Sequence, residues 1–342
     1  MLTLVSSRNN YNLLEDFFLK KNNIPFSNII NADAGSTDNN KLIGKELCKK
    51  HGMNYFETRS NDLQTVVSET IIKYRNDSKS KWLLFLHSDA YLTSNAYEKL
   101  ISKLENNLFD QFGLVGLNTV FWPHTQRIED INQNNFYFGL MGKSILADTN
   151  FNVYGPHTIK NLETQKNWNN LVCVEAVMDI GLVVNMDLFI KHIKPTNKIP
   201  FICAWDDVAM QFLNAGIYNV TIPDVHCVHD PWVKKKFNMP VSSPKSLYNK
   251  FNKDFYNDDL SYEQEWKKKW KFDRKYKTII KKPIVRNNFF KRFNTYINNF
   301  SRPNKVTLNY EIKNLYKNTL IGNFMNHSHD EPMLFFSDYK NF

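Results

Sequence analysis

No apolar run in the sequence approaches the about 18 consecutive residues that argue for a membrane-spanning helix. The N-terminus, MLTLVSSRNN, has no basic stretch followed by a long apolar run and a small-residue cleavage site, so it reads as the start of a strand and not as a signal peptide. Cysteine is scarce. The four present, Cys48, Cys173, Cys203 and Cys227, stand singly with no CxxC pair, a pattern that favours reduced structural thiols in a cytoplasmic protein. Glycine is missing from VSSRNNYN, which argues against the glycine-rich basic loop of a nucleotidyltransferase. There is no internal repeat.

What is present is a chain of 342 residues, 42% hydrophobic, enough for one large α/β domain and an appendage. The net charge of +10 is unevenly placed. From Lys234 onward 23 Lys/Arg face 10 Asp/Glu, whereas residues 1–233 carry 21 against 24. The basicity therefore belongs to the tail. Such a tail could meet an anionic membrane surface or a charged acceptor, or it could be a solvated lysine-rich face. Its tryptophans and tyrosines also leave a nucleic-acid-binding reading open, although nucleic acid would call for basic residues on the folded core.

The first half alternates strand-like and helix-like segments. LTLVSS reads as a strand and YNLLEDFFLKK as a helix with Leu13, Leu14, Phe17 and Phe18 on one side. SNIINAD, MNYFET, KWLLFLHSD and FGLVGLNTVF read as further strands. NNKLIGKELCKKHG, DLQTVVSETIIKYR and AYEKLISKLENN read as the helices between them, the first ending at Gly52. This order predicts a mostly parallel sheet with helices on both faces. Residues 122–170 read as long loops, VCVEAVMDIGLVVNM as renewed strands, DDVAMQFLNAG as a short helix and IYNVTIP as a strand. The main domain boundary is placed near residue 272.

In such sheets ligands bind beyond the carboxyl ends of the strands. The first strand ends at Ser6, Ser7 and Arg8. The second ends in Asp33-Ala-Gly-Ser36-Thr-Asp38, where Gly35 permits a tight turn, Asp38 can cap the next helix, and Asp33 would point off the strand end toward a nucleobase or ribose. The apolar strand Trp82–Leu86 stops at His87-Ser88-Asp89. An acid there is placed to hold a divalent cation, which can neutralise a departing diphosphate. Met178-Asp179-Ile-Gly181 reads as a turn between apolar stretches. Trp205-Asp206-Asp207 opens a short helix; two acids there satisfy the helix dipole, or one of them serves as a general base. His229 ends a short strand, as a ligand or as a structural histidine.

The order of these signals resembles the family 2 glycosyltransferases, over about residues 1–270. NADAGSTD resembles their nucleotide-binding turn, LLFLHSDAYL their aspartate-x-aspartate strand, and VMDIGLVVNMDLF the acceptor-side segment. AWDDVAMQFLNAG with VTIPDVHCVHDPW resembles their base-bearing motif and late metal-binding histidine. EWKKKW resembles a lysine–tryptophan segment that closes many such domains. The resemblance implies a GT-A fold over residues 1–272 with a basic extension, 273–342. It implies inverting transfer from a nucleotide-diphosphate sugar, UDP favoured, to a glycan or lipid-linked acceptor, at a cytoplasmic site with possible peripheral membrane contact. Ser6, Ser7, Arg8, Asp33, Ser36, Asp38, His87 and Ser88 would bind nucleotide. Asp89 and His229 would hold Mn²⁺ or Mg²⁺. Asp179, Gly181 and Trp205 would lie on the acceptor side. Asp207 is the favoured base, with Asp206 structural or metal-facing. Two departures stand out. His87 replaces the first acid of the aspartate-x-aspartate motif, which makes it a candidate helper ligand and keeps a catalytically inactive, sugar-binding relative open as an alternative. Gln211 falls near the place of an arginine common in the family.

Overall fold

The computed structural model describes residues 1–93, 95–105, 107–121, 136–144, 151–158, 172–174, 176–199, 203–230, 233–237, 265–266 and 268–270. The basic extension 273–342 and much of 122–170 lie outside them.

Eleven strands form one sheet: β1 Leu2–Ser7, β2 Ile29–Asp33, β3 Asn54–Glu57, β4 Trp82–Leu86, β5 Ala90–Leu92, β6 Phe112–Phe121, β7 Phe136–Ser144, β8 Phe151–Thr158, β9 Val172–Val174, β10 Gly181–Asn185 and β11 Tyr218–His229. The main path runs β3-β2-β1-β4-β10-β6-β11-β5. β1 pairs in parallel with β2 and β4, β2 with β3, and β6 with β11. β10 is antiparallel to both of its neighbours, so β6 and β11 run the same way as β4. Six of the eight strands on the path thus share one direction, which is the mixed, mostly parallel sheet that a GT-A fold requires. Their carboxyl ends face one side of the molecule.

Alternation along each strand builds a core on each face. Leu4, Leu83, Phe85, Leu182 and Val184 pack on one face with α3 (Leu63–Tyr74), α5 (Met186–His192) and α6 (Ala204–Asn214). Val5, Leu84, Leu86, Val183 and Val115 pack on the other with α2 (Asp38–His51) and α4 (Ala96–Leu104). Helix α1 is built of Tyr11–Leu13, a π-helical stretch Leu14–Phe18, and Leu19–Lys21. The four apolar residues expected on one side of it are all buried, but they divide. Leu14 and Phe18 join the sheet core, while Leu13 and Phe17 meet Val233 of α7 (Val233–Lys236). A helix with one wider turn can serve two contacts that a regular 3.6-residue period would merge.

Several boundaries differ from the sequence reading. Residues 136–144 and 151–158, read as loops, are an antiparallel pair that extends β6. Their glycines and polar residues hid the alternation. IYNVTIP and the short strand ending at His229 are one twelve-residue strand, irregular between Ile222 and His226. Thr37, not Asp38, is the N-cap of α2, and Asp38 stands in the first turn with its side chain in solvent. No helix among the described residues is long and apolar enough to cross a membrane.

Candidate active site

The loops after β1, β2 and β4 are tied together by side chains. Ser7 and Asp33 are register partners at the ends of β1 and β2. Asn9, in the left-handed region at φ 55°, donates its amide to Ser36 Oγ (2.9 Å) and accepts from the Thr37 amide at Oδ1 (2.9 Å). Asn10 Oδ1 accepts from the Arg8 amide, and its Nδ2 donates to Ser88 Oγ at 3.0 Å. Asparagine tolerates positive φ better than most residues, and a short amide side chain can replace a backbone turn bond. Ser6, Ser7, Arg8, Ser36, His87 and Ser88 therefore belong to one mouth at the carboxyl end of the parallel strands, with Arg8 exposed on it.

Asp33 turns inward from that mouth. Its side chain is fully buried. Oδ1 accepts from the Ser36 amide at 2.8 Å; Oδ2 accepts from the hydroxyls of Tyr11 and Tyr55. Burial by itself raises its pKa, but the hydrogen bonds from Tyr11, the Ser36 amide and Tyr55 outweigh that and hold the carboxyl below its ordinary value. Burial, then the bond to Asp33, push both phenols up. The strand-end position reads as a nucleobase contact; in the structure the carboxylate is bonded by the two tyrosines and the Ser36 amide. Gly44 of α2 makes room for this, since a Cβ there would lie 2.3 Å from the Tyr11 ring.

At the end of β4 the chain reverses through His87–Asp89, with the Ala90 amide bonding His87 O at 3.0 Å, and enters β5. β5 pairs antiparallel with the end of β11, setting His229 opposite Ala90. The Asp230 amide donates to Asp89 O at 2.9 Å. This brings His229 Nε2 to 3.1 Å from Asp89 Oδ2, while His87 Nδ1 lies 3.8 Å from Asp89 Oδ1. The ligand atoms of His87, Asp89 and His229 all lie within 4.8 Å of one another. One carboxylate and two imidazoles in that space form a donor set that could hold a divalent cation.

Asp179 and Gly181 sit beside this group. The His87 amide bonds Ile180 O at 3.0 Å, and Gly181 pairs with Leu86. A Cβ on Gly181 would lie 2.8 Å from Cys227 Sγ. Burial, and then the charge of Asp89, push the Cys227 thiol far up, so it stays a neutral packing group. Burial also raises Cys48, to about 11. Among the described residues Cys48, Cys203 and Cys227 form no disulfide.

Helix α6 begins at Cys203, whose φ of 61° is unusual for a residue with a side chain. Asp207 in its first turn is fully buried and enclosed by donors. Gln64 of α3 and Gln211, one turn on, each donate to Oδ2 at 3.0 Å. Lys269 Nζ lies 2.8 Å from both oxygens, and Trp270 Nε1 donates to Oδ1 at 2.8 Å. Gln211, in the place of the family's arginine, is thus a partner of the acid. Asp206 is 6% exposed. Trp205 is buried, with its ring 5.2 Å from that of Phe85, which lies 5.6 Å from the His87 ring. It is a core side chain that reaches the His87–Asp89–His229 group through the ring of Phe85.

Sequence reading passed over Asn9, Asn10, Tyr11, Tyr55, Gln64, Lys269 and Trp270. Each acts on a partner far along the chain, and none carries a local motif; only the tryptophan–lysine run EWKKKW was noticed.

Residues 4–166 match the family described as Glycosyl transferase family 2. This part of the chain is a family 2 glycosyltransferase domain. The match to the family 2 domain takes in Asp33, His87 and Asp89 and stops short of Asp207 and His229. No curated protein matches the chain in sequence. Similar solved structures include GalNAc-T7 with UDP, GalNAc and Mn²⁺, at 13% identity and a TM-score of 0.47 over 66% of this chain and 43% of that one. Another is the mannosyltransferase PcManGT from Pyrobaculum calidifontis with GDP-Man and Mn²⁺, at 13% identity and a TM-score of 0.42 over 66% and 55%. The chain thus spans about half the length of these two proteins.

Proposed function

We propose that the protein transfers a sugar from a nucleoside diphosphate sugar to an acceptor hydroxyl. The observation that carries this reading is the convergence of His87, Asp89 and His229 at the carboxyl ends of the parallel strands of a family 2 domain. A divalent cation held by these three would supply the charge that stabilises the departing diphosphate. The nucleotide lies across the tied loops after β1, β2 and β4, with Ser7, Arg8 and Ser88 in reach of it and Asp33 behind them as a brace.

Transfer is a single displacement with inversion. The acceptor oxygen bonds to the anomeric carbon, the bond from that carbon to the diphosphate oxygen breaks, and the hydroxyl proton passes to a carboxylate. We assign that carboxylate to Asp206. Asp207 has its lone pairs committed to Gln64, Gln211, Lys269 and Trp270. Asp179 and Gly181 border the acceptor side. The catalytic domain runs to about residue 272, in keeping with Trp266 and Trp270 packed on its core. The basic segment beyond it serves a glycan or lipid-linked acceptor near an anionic membrane surface.

The test is a panel of UDP-, GDP- and dTDP-sugars with Mn²⁺, read by release of the nucleoside diphosphate and by the anomeric configuration of the product. Metal-dependent release with inversion supports the reading. Binding of the nucleotide without release from any sugar would make the protein a binding relative.

A further inference from the structure

We propose that Lys269 and Trp270 are positioning residues: together they clamp Asp207 and so fix the first turn of α6, where Asp206 stands. The proposal rests on the transferase reading for its catalytic consequence, and on geometry alone for the clamp.

The segment that carries the clamp returns to the fold after the last strand of the sheet. Trp266 is 1% exposed and lies in the same core cluster as α3 and α6, with Trp270 packed against it. The Trp270 amide bonds Trp266 O at 3.1 Å, the mark of a helical turn. That turn aims consecutive side chains differently. Lys268 is largely in solvent, whereas Lys269 reaches both oxygens of Asp207, its Nζ also 5.3 Å from the centre of the Trp270 ring. Trp270 presents its only polar atom to Oδ1. One carboxylate thereby receives a cation and an indole N–H from a segment 62 and 63 residues away.

A fully buried carboxylate is costly unless it is paired and hydrogen-bonded. Gln64 and Gln211 satisfy Oδ2 but bring no charge. Lys269 supplies it. The first turn of α6 needs such a hold. It starts from a left-handed cysteine with no side-chain cap, a conformation that persists only where the surroundings over-determine it. Releasing the clamp would leave Asp207 short of its cation, and the turn would shift to find water. Asp206, one residue before it, would move too. Displacements of about 1 Å at a reacting group can cost about 10²-fold in rate.

The experiment uses the full-length chain with Lys269→Met, Trp270→Phe, Asp206→Asn, Asp207→Asn, the Lys269→Met/Asp207→Asn double variant, and Lys269→Arg as the conservative change. The first readout is the thermal midpoint. Coupled residues give a double variant that loses less than the sum of the two singles. The second is Mn²⁺-dependent binding of UDP, expected unchanged in Lys269→Met. The third is the pH profile of turnover. Lys269→Met and Trp270→Phe should lower turnover about tenfold or more while keeping the acid limb, and Lys269→Arg should recover most of the loss. Additive losses of thermal midpoint would overturn the clamp. Full turnover in Lys269→Met would overturn its positioning role. So would an acid limb that vanishes in Asp207→Asn and survives in Asp206→Asn. A parent enzyme that turns over no nucleotide sugar would sink the transferase reading alone, and the midpoints would still decide the clamp.

Discussion

His229 Nε2 lies 3.1 Å from Asp89 Oδ2 although 140 residues separate them, and the backbone is what makes them meet. β5 is only three residues long, yet its pairing with the end of β11 fixes the distance, and the Asp230 amide locks it through Asp89 O. Side chains set by ladder hydrogen bonds are held in place before any ion arrives, which would lower the cost of binding one.

Asp89→Ala should abolish Mn²⁺-dependent nucleotide binding and leave the thermal midpoint near that of the parent, because Asp89 Oδ2 is engaged by a histidine and not by the apolar core. His229→Ala should weaken the same binding by about 10-fold or more, the order seen when a partner at a metal site is lost. Titration of UDP with and without Mn²⁺ reads both. Unchanged metal-dependent affinity in Asp89→Ala would remove it from the ligand set.

In the proposed site the imidazole of His87 would set ion preference. His87→Asp would replace the ring nitrogen, 3.8 Å from Asp89 Oδ1, by oxygen, the harder donor that Mg²⁺ favours. The ratio of Mg²⁺- to Mn²⁺-supported UDP binding should rise in that variant. A ratio identical to the parent's would show that His87 does not touch the ion.

Much of the fold was legible in the sequence, and so were two of the three residues that converge as a candidate cation site. Acids and histidines placed just after buried apolar strands can be located without knowing the topology, and Asp89 and His229 were found that way. The acid pair at 206 and 207 was also found, but not the partners of Asp207. Lys269 and Trp270 meet it from far along the chain, on a segment held by the packing of Trp266. Asp33 shows the same limit. Its strand-end position reads as ligand-facing, and only the tertiary fold brings Tyr11 and Tyr55, each 22 residues away, onto one of its oxygens. The β7–β8 pair was missed because two glycines and a lysine interrupt its alternation in FYFGLMGKS.

Gly44→Ala should destabilise the protein although alanine favours helix by about 1 kcal/mol over glycine. The new Cβ would fall 2.3 Å from the Tyr11 ring. Overpacking of this kind typically costs about 1–3 kcal/mol, and here it would also push the Tyr11 hydroxyl off Asp33. Combining it with Tyr11→Ala should relieve the clash, so the double variant should lose less than the sum of the singles. Strict additivity in thermal unfolding would show that the ring is not the obstacle.

The tyrosine pair on Asp33 predicts a pH signature. Hydrogen bonds hold this carboxyl below its ordinary value, so the folded state prefers the ionised form. The stability this contributes is present in full above the unfolded pKa of about 4 and is lost as pH falls through the lower, folded value. Tyr11→Phe and Tyr55→Phe each delete one donor to a charged acceptor, worth about 1.5–3 kcal/mol. They also raise the folded pKa toward the unfolded one. The gap in thermal midpoint between each variant and the parent should therefore be widest near neutral pH and should narrow as pH falls through the parent's lowered, folded value, below which Asp33 is neutral in both. Thermal unfolding from pH 7 down to pH 3 checks this. A gap that stays constant across that range would mean that the tyrosines act through ring packing, and that the charge on Asp33 takes no part in holding β2 against α1 and β3.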